Sequence, residues 1–299
     1  MTVSIVIALG VVALLGTGVL IWDQRRTPLP AIAAGGANRH AAVTAAVGWA
    51  SLIGSLAVGV IGVMMGNLEL AGRQIALVPC AAGVVFLMVH AAGELTWPRP
   101  RGGVRSARLA PRAPADVAPT LLRAALWAWA GLLAVELVVF GVMASGPRTI
   151  TARVPEEALV GAGTEYQAGP FPGWWYGVPL LIGGAVLLMG TELVLRLITL
   201  RPALVDVPAA WDMALRRRSA RRVLRGAQAP LAITGAGVLW VAHQTIASAT
   251  SPSDPLVVTC LVLAWVSAVG GVVLMAVPGR DFRPEPAAGP APTAADVIG

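Results

Sequence analysis

The sequence predicts an all-α membrane protein: a seven-transmembrane-helix bundle with its N-terminus outside, its C-terminus in the cytoplasm, and basic cytoplasmic loops. Three observations predict it. Of 299 residues, 57% are hydrophobic and only 12% charged, whereas a soluble domain carries about 25% charged residues. The apolar residues gather into seven runs, each near the roughly 20 residues that a helix needs to cross about 30 Å of hydrocarbon. Arginine-rich and arginine-poor loops alternate along the chain, and the rich ones mark the cytoplasmic side.

Segment one covers residues 2–22. It has no basic residues ahead of it and exceeds the apolar run of about 7–15 residues in a cleaved signal peptide. The "AIA" at 31–33 follows Asp23, Arg25 and Arg26, and cleavage there would put the arginine-rich loops on the wrong face. Segment one therefore reads as a retained helix, followed by a cytoplasmic linker that also carries Arg39. Segments two (42–65) and three (74–93) are joined by "GNLELAGRQ", with one arginine and one glutamate. Near the inner end of segment three, His90 and Glu94 stand four apart and share a helix face.

The next linker holds Arg99, Arg101, Arg105, Arg108 and Arg112, and segment four (120–144) opens with Arg123. The outer loop 146–173 sets Arg148 and Arg153 against Glu156, Glu157 and Glu165, and leads into Trp174, Trp175 and Tyr176, an aromatic belt at the outer interface. Segment five (174–195) ends with Glu192 and, four residues on, Arg196. Segment six (229–249) is the weakest, holding Gln244, His243 and several small polar residues but no formal charge. Segment seven (255–277) follows "SPSDP". The membrane domain thus spans 1–277, and the Pro/Ala-rich tail 278–299 has the composition of a disordered cytoplasmic segment. "VPCAAGVVFLMVHAAGEL" (78–95) resembles "VPLLIGGAVLLMGTEL" (178–193), which reads either as tandem copies of one parallel unit in segments three–four and five–six or, equally well, as the shared composition of membrane helices.

All 22 basic residues are arginine, which together with the abundant Ala, Val and Gly suggests a GC-rich bacterial genome and a plasma-membrane location. Six arginines crowd into ten positions ahead of segment six: Arg216, Arg217, Arg218, Arg221, Arg222 and Arg225. On a helical wheel four of them share one face, opposite Met213, Ala220, Val223, Leu224 and Ala227. Such a stem suits an interface, with guanidinium groups reaching the phosphates of anionic lipid headgroups. Docking of an acidic protein partner on the cytoplasmic loops is the second reading. Nucleic acid is not expected, since no aromatic interleaving or DNA-binding motif accompanies the charge.

Ionisable groups inside a bilayer are functional candidates by default. Glu136, in "GLLAVELVVFG", lies about 12 Å below the outer boundary at roughly 1.5 Å per residue. His243 lies in the outer part of segment six, roughly 7 Å nearer the surface on the same scale. Side by side the two would make a protonatable pair. Cys80 and Cys260 fall at similar depth but have no metal-binding or CxxC spacing. No Walker A loop, GxSxG, HExxH or dinucleotide-binding glycine motif occurs. No cofactor, metal or catalytic residue is expected. The leading expectation is a non-enzymatic membrane subunit or accessory acting through helix packing and arginine-rich loops. The alternative is a small transporter or permease component using Glu136 with His243. Oligomeric state leaves no mark in the sequence.

Overall fold

The computed structural model describes residues 35–65, 71–98, 113–153, 165–203, 209–250 and 253–276. They form α1 (Gly35–Met65), α2 (Ala71–Leu95), the one-turn α3 (Pro114–Val117), α4 (Thr120–Met143), a hairpin of β1 (Ile150–Arg153) and β2 (Glu165–Ala168), α5 (Trp174–Leu200), α6 (Ala209–Ala249) and α7 (Pro255–Ala276). All but α3 are long and apolar enough to cross a membrane, six helices in all among the described residues. The described residues are mostly helical, and these helices are those of a multi-pass membrane protein. Predicted segment one and the tail 278–299 lie outside the described residues.

The helices stop where the backbone is made to stop. Beyond α2 comes Pro98, and beyond α5 comes Pro202, and the residue before a proline is pushed out of the helical region. α7 starts on Pro255 with Asp254 ahead of it, whose Oδ1 accepts the Leu256 N–H at 2.8 Å, a side chain satisfying one of the free donors of a helix start.

α1 and α2, α4 and α5, and α6 and α7 pack antiparallel, and glycine permits the closest approaches. Between α1 and α2, Gly48 faces the His90 ring, Gly59 faces Val78 and Gly93 faces Thr44. Between α2 and α6, Gly226 lies beneath the Phe86 ring, while Gly83 abuts Leu187 of α5 and Pro230 of α6. Lipid tails are as apolar as leucine, so association depends on such close packing rather than on escape from water. Two parallel neighbours also occur. α2 lies beside α5, Cys80 against Gly183 and Leu87 against Gly190, and α4 lies beside α6, with Leu122 level with Gln228. The two segments of the sequence repeat are therefore adjacent and point the same way.

α6 is the hub, touching each of the other five long helices. Here the structure departs from the sequence expectation of a helix confined to 229–249. α6 runs unbroken for 41 residues, about 60 Å at roughly 1.5 Å per residue, about twice the hydrocarbon thickness. Hydropathy finds only the apolar half. The arginine stretch is just as helical, because Ala, Leu and Arg are all strong helix formers, and Asp212 in its first turn complements the helix dipole.

The loop expected on the outer side also differs from expectation. β1 and β2 pair antiparallel, from Ile150 opposite Ala168 to Arg153 opposite Glu165. Fixed to the bundle, the hairpin covers that end of it. Phe171 is fully buried and meets Phe140 edge-to-face at 5.7 Å, and the Thr245 hydroxyl donates to the Pro170 carbonyl.

Candidate functional site

The arginine cluster is the most densely polar part of the described protein, and most of it is inside. Arg216, Arg218, Arg222 and Arg225 are all buried, Arg221 is half-buried and only Arg217 is exposed. The wheel-derived picture of an arginine face turned to headgroups thus holds for few of the six. The reason is tertiary: the stem continues the axis of α6 into the bundle, where α5, α2 and α1 flank it.

Arg216 shows what burial does with a guanidinium. It is the largest fully buried side chain of the described protein. Nε donates to Asp212 Oδ2 at 2.8 Å, Nη1 donates to the carbonyls of Ile198 and Thr199 at 2.7 and 3.0 Å, and Nη2 donates to the Arg201 carbonyl at 2.8 Å. The last carbonyls of any helix lack internal partners. One planar fork of donors from α6 supplies them for α5 and welds the two helices together.

Arg201, just past α5, is buried against the Trp97 ring with its guanidinium carbon 3.9 Å from the centroid, a cation–π contact. Its Nη1 meets Glu94 Oε2 of α2 at 3.4 Å and Ser219 Oγ of α6 at 3.4 Å. Burial lowers the Arg201 guanidinium to about 10 while the Glu94 carboxylate pulls it back up, so it remains a cation at neutral pH. Arg222 donates to the Ala41 carbonyl of α1 at 3.2 Å, and Arg218, Arg221 and Arg225 are likewise engaged. Gln228, one turn further in, donates to the Leu122 carbonyl of α4 at 2.7 Å. The stem is a polar core that ties α1, α2, α4 and α5 to α6.

Several pairings differ from those read along the sequence. Glu94 bonds across to Arg201 rather than to His90, which instead lies against the Phe86 ring at 4.5 Å. Glu192 bonds across to Arg123 of α4 at 2.9 Å on each oxygen rather than to Arg196. A residue four along a helix and one on a neighbouring helix compete for the same carboxylate, and spacing within one helix reveals only the first. Sequence reasoning gave Asp212, Gln228 and Arg201 no role of their own. The Asp212–Arg216 spacing of four was the available signal.

In the membrane part, Glu136 is buried, and its Oε2 lies 3.2 Å from where a Cβ on Gly235 would be. Neither carboxyl oxygen has a hydrogen-bond partner among the described residues. His243 stands eight residues beyond Gly235 on α6, about 12 Å along the axis, and its Nδ1 pairs with the Val257 carbonyl of α7 at 3.0 Å. The structure does not bring Glu136 and His243 together. Cys80 and Cys260 are both free thiols, and Cys80 Sγ meets Thr234 Oγ1 at 3.6 Å. Among the described residues no three of His, Cys, Asp and Glu cluster as metal ligands would. The chain matches no protein-family profile, no curated protein and no solved structure.

Proposed function

We propose that this chain is a non-catalytic subunit or accessory protein of a bacterial plasma membrane, with its N-terminus outside and its arginine-rich end and C-terminus in the cytoplasm. It offers that end to a protein partner, with anionic lipid headgroups as the second ligand of the same surface. The observation that supports this is the stem. α6 continues about 30 Å beyond what the hydrocarbon needs, and buried arginines lock it to α1 and α5. Such a rigid helical extension suits docking, because little ordering is left to do on binding. Arginine on this end also agrees with retention of positive charge in the cytoplasm. The permease reading has in its favour the buried Glu136, but its proposed partner His243 is bound elsewhere.

Arg217, exposed at the middle of the stem, is the position to test. A photo-crosslinking side chain there, in the protein's own membrane, is expected to trap one protein at a fixed mass. Lipid adducts alone would shift the function to headgroup binding, and no adduct of either kind would overturn the reading. A thiol at the same position, Arg217→Cys, is expected to react with an impermeant reagent only after the membrane is opened. Reaction in intact cells would reverse the orientation.

A further inference from the structure

Where α4, α6 and α7 meet, the bundle holds a set of polar groups that the stem does not use. Trp129 and Glu136 are seven apart on α4 and so share a face. The Trp129 ring lies 3.2 Å from where a Cβ on Gly270 of α7 would be, so this face of α4 reaches α7. α4 and α7 run oppositely, so seven residues up α4 from Trp129 is seven back along α7 from Gly270, near position 263. Cys260 and Ser267 flank that level on the buried stripe of α7, exposed by 2% and 1%. The α6–α7 register falls within one helical turn of that level: Gly271 packs on Ala232 and Val257 on His243, which sets Ser267 beside Gly235, the residue that Glu136 abuts.

Glu136 Oε1 and Oε2, Ser267 Oγ and Trp129 Nε1 are all buried without a hydrogen-bond partner among the described residues. Buried polar groups in native proteins are nearly always satisfied, and an isolated carboxylate in hydrocarbon is too expensive to persist. Among the described residues no cation stands close enough to offset that cost. On α4 the only other ionisable residue is Arg123, and α5 has none between Tyr176 and Glu192. On α6 the nearest to Gly235 are His243 and Arg225, about 12 and 15 Å along the helix. α7 contributes Cys260 alone. A metal ion does not fit, since calcium or magnesium takes about six or more oxygens and the junction offers two carboxyl oxygens and one hydroxyl.

We propose that this junction is an intramembrane proton-binding site, with Glu136 carrying an exchangeable proton and Ser267 as the nearest hydroxyl of its polar surround. Gly235 makes the room, since any side chain there would meet the carboxyl group. The site is independent of the stem and of partner docking, and it stands or falls separately from them.

The test is infrared difference spectroscopy of the full chain in lipid nanodiscs, stepped from about pH 5 to about pH 9, the range that spans ordinary and buried carboxyls. A protonated-carboxyl carbonyl band is expected at low pH, disappearing as pH rises and Glu136 ionises. Glu136→Gln is expected to abolish it. Ser267→Ala, which keeps the carboxyl, is expected to displace the band in frequency and so serves if Glu136→Gln does not fold. A band that never titrates, or one indifferent to both substitutions, would overturn the site. A band that sodium removes at constant pH would show the ligand to be a metal cation and overturn the proton assignment.

Discussion

Arg216→Ala is expected to destabilise the bundle by about 3–5 kcal/mol, the cost of removing one partner from a buried ion pair. The substitution strands Asp212 and frees the carbonyls of Ile198, Thr199 and Arg201 at once. Equilibrium unfolding in mixed micelles of increasing denaturing detergent measures the loss. Arg216→Lys is expected to recover only part of it, because an ammonium on a flexible stem cannot serve four acceptors in the fixed geometry of a guanidinium. Asp212→Asn is expected to lose less than Arg216→Ala, since the three carbonyl bonds survive. A stability for Arg216→Ala within about 1 kcal/mol of the parent, the scale of a single exposed ion pair, would show that the stem does not hold α5 in this way.

Gly226→Ala is the second large effect. In an open helix the change would stabilise by about 0.8–1.0 kcal/mol through propensity. Here a Cβ would run into the Phe86 ring. That ring is fully buried and confined by Trp49 at 5.7 Å and His90 at 4.5 Å. Overpacking a closed core typically costs about 1–3 kcal/mol, so the clash outweighs propensity and net destabilisation is expected. Gly237, with nothing within 4 Å of its missing Cβ, is the matched control on the same helix: Gly237→Ala is expected to be neutral or stabilising. Combining Gly226→Ala with Phe86→Leu is expected to recover stability beyond the sum of the single changes, as neighbours that share one space do. Additive losses would mean that α2 and α6 are not in this register.

Some of the architecture is legible residue by residue. The apolar runs behind α2, α4 and α7 locate these helices to within three residues, because crossing hydrocarbon demands length and hydropathy together, while α1 begins seven residues before its run and α5 ends five after it. α6 shows the limit of that signal. Its arginine half is invisible to hydropathy, yet Asp212, Ala214, Leu215 and the arginines are as compatible with a helix as the half that follows. The hairpin over the far end is equally hard to foresee, since its two strands are only four residues each.

The site follows the same division. That Glu136 needs a partner or a proton is evident from one acid in an apolar run, since the desolvation of a charge depends on its surroundings being apolar and not on which helix supplies them. The sequence by itself thus determined the class of protein, its helical segments and the positions where charge is expensive. Only the tertiary structure decided what those charges meet. It separated Glu136 from His243 and set it against Gly235 and α7. It also turned four of the six clustered arginines inward, with Arg216 on carbonyls at the end of α5 and Arg222 on a carbonyl of α1. The physical reason is that hydropathy acts on each segment alone, whereas an ion pair or a hydrogen bond needs two groups within about 3 Å, and which helices stand that close is a property of the packed bundle.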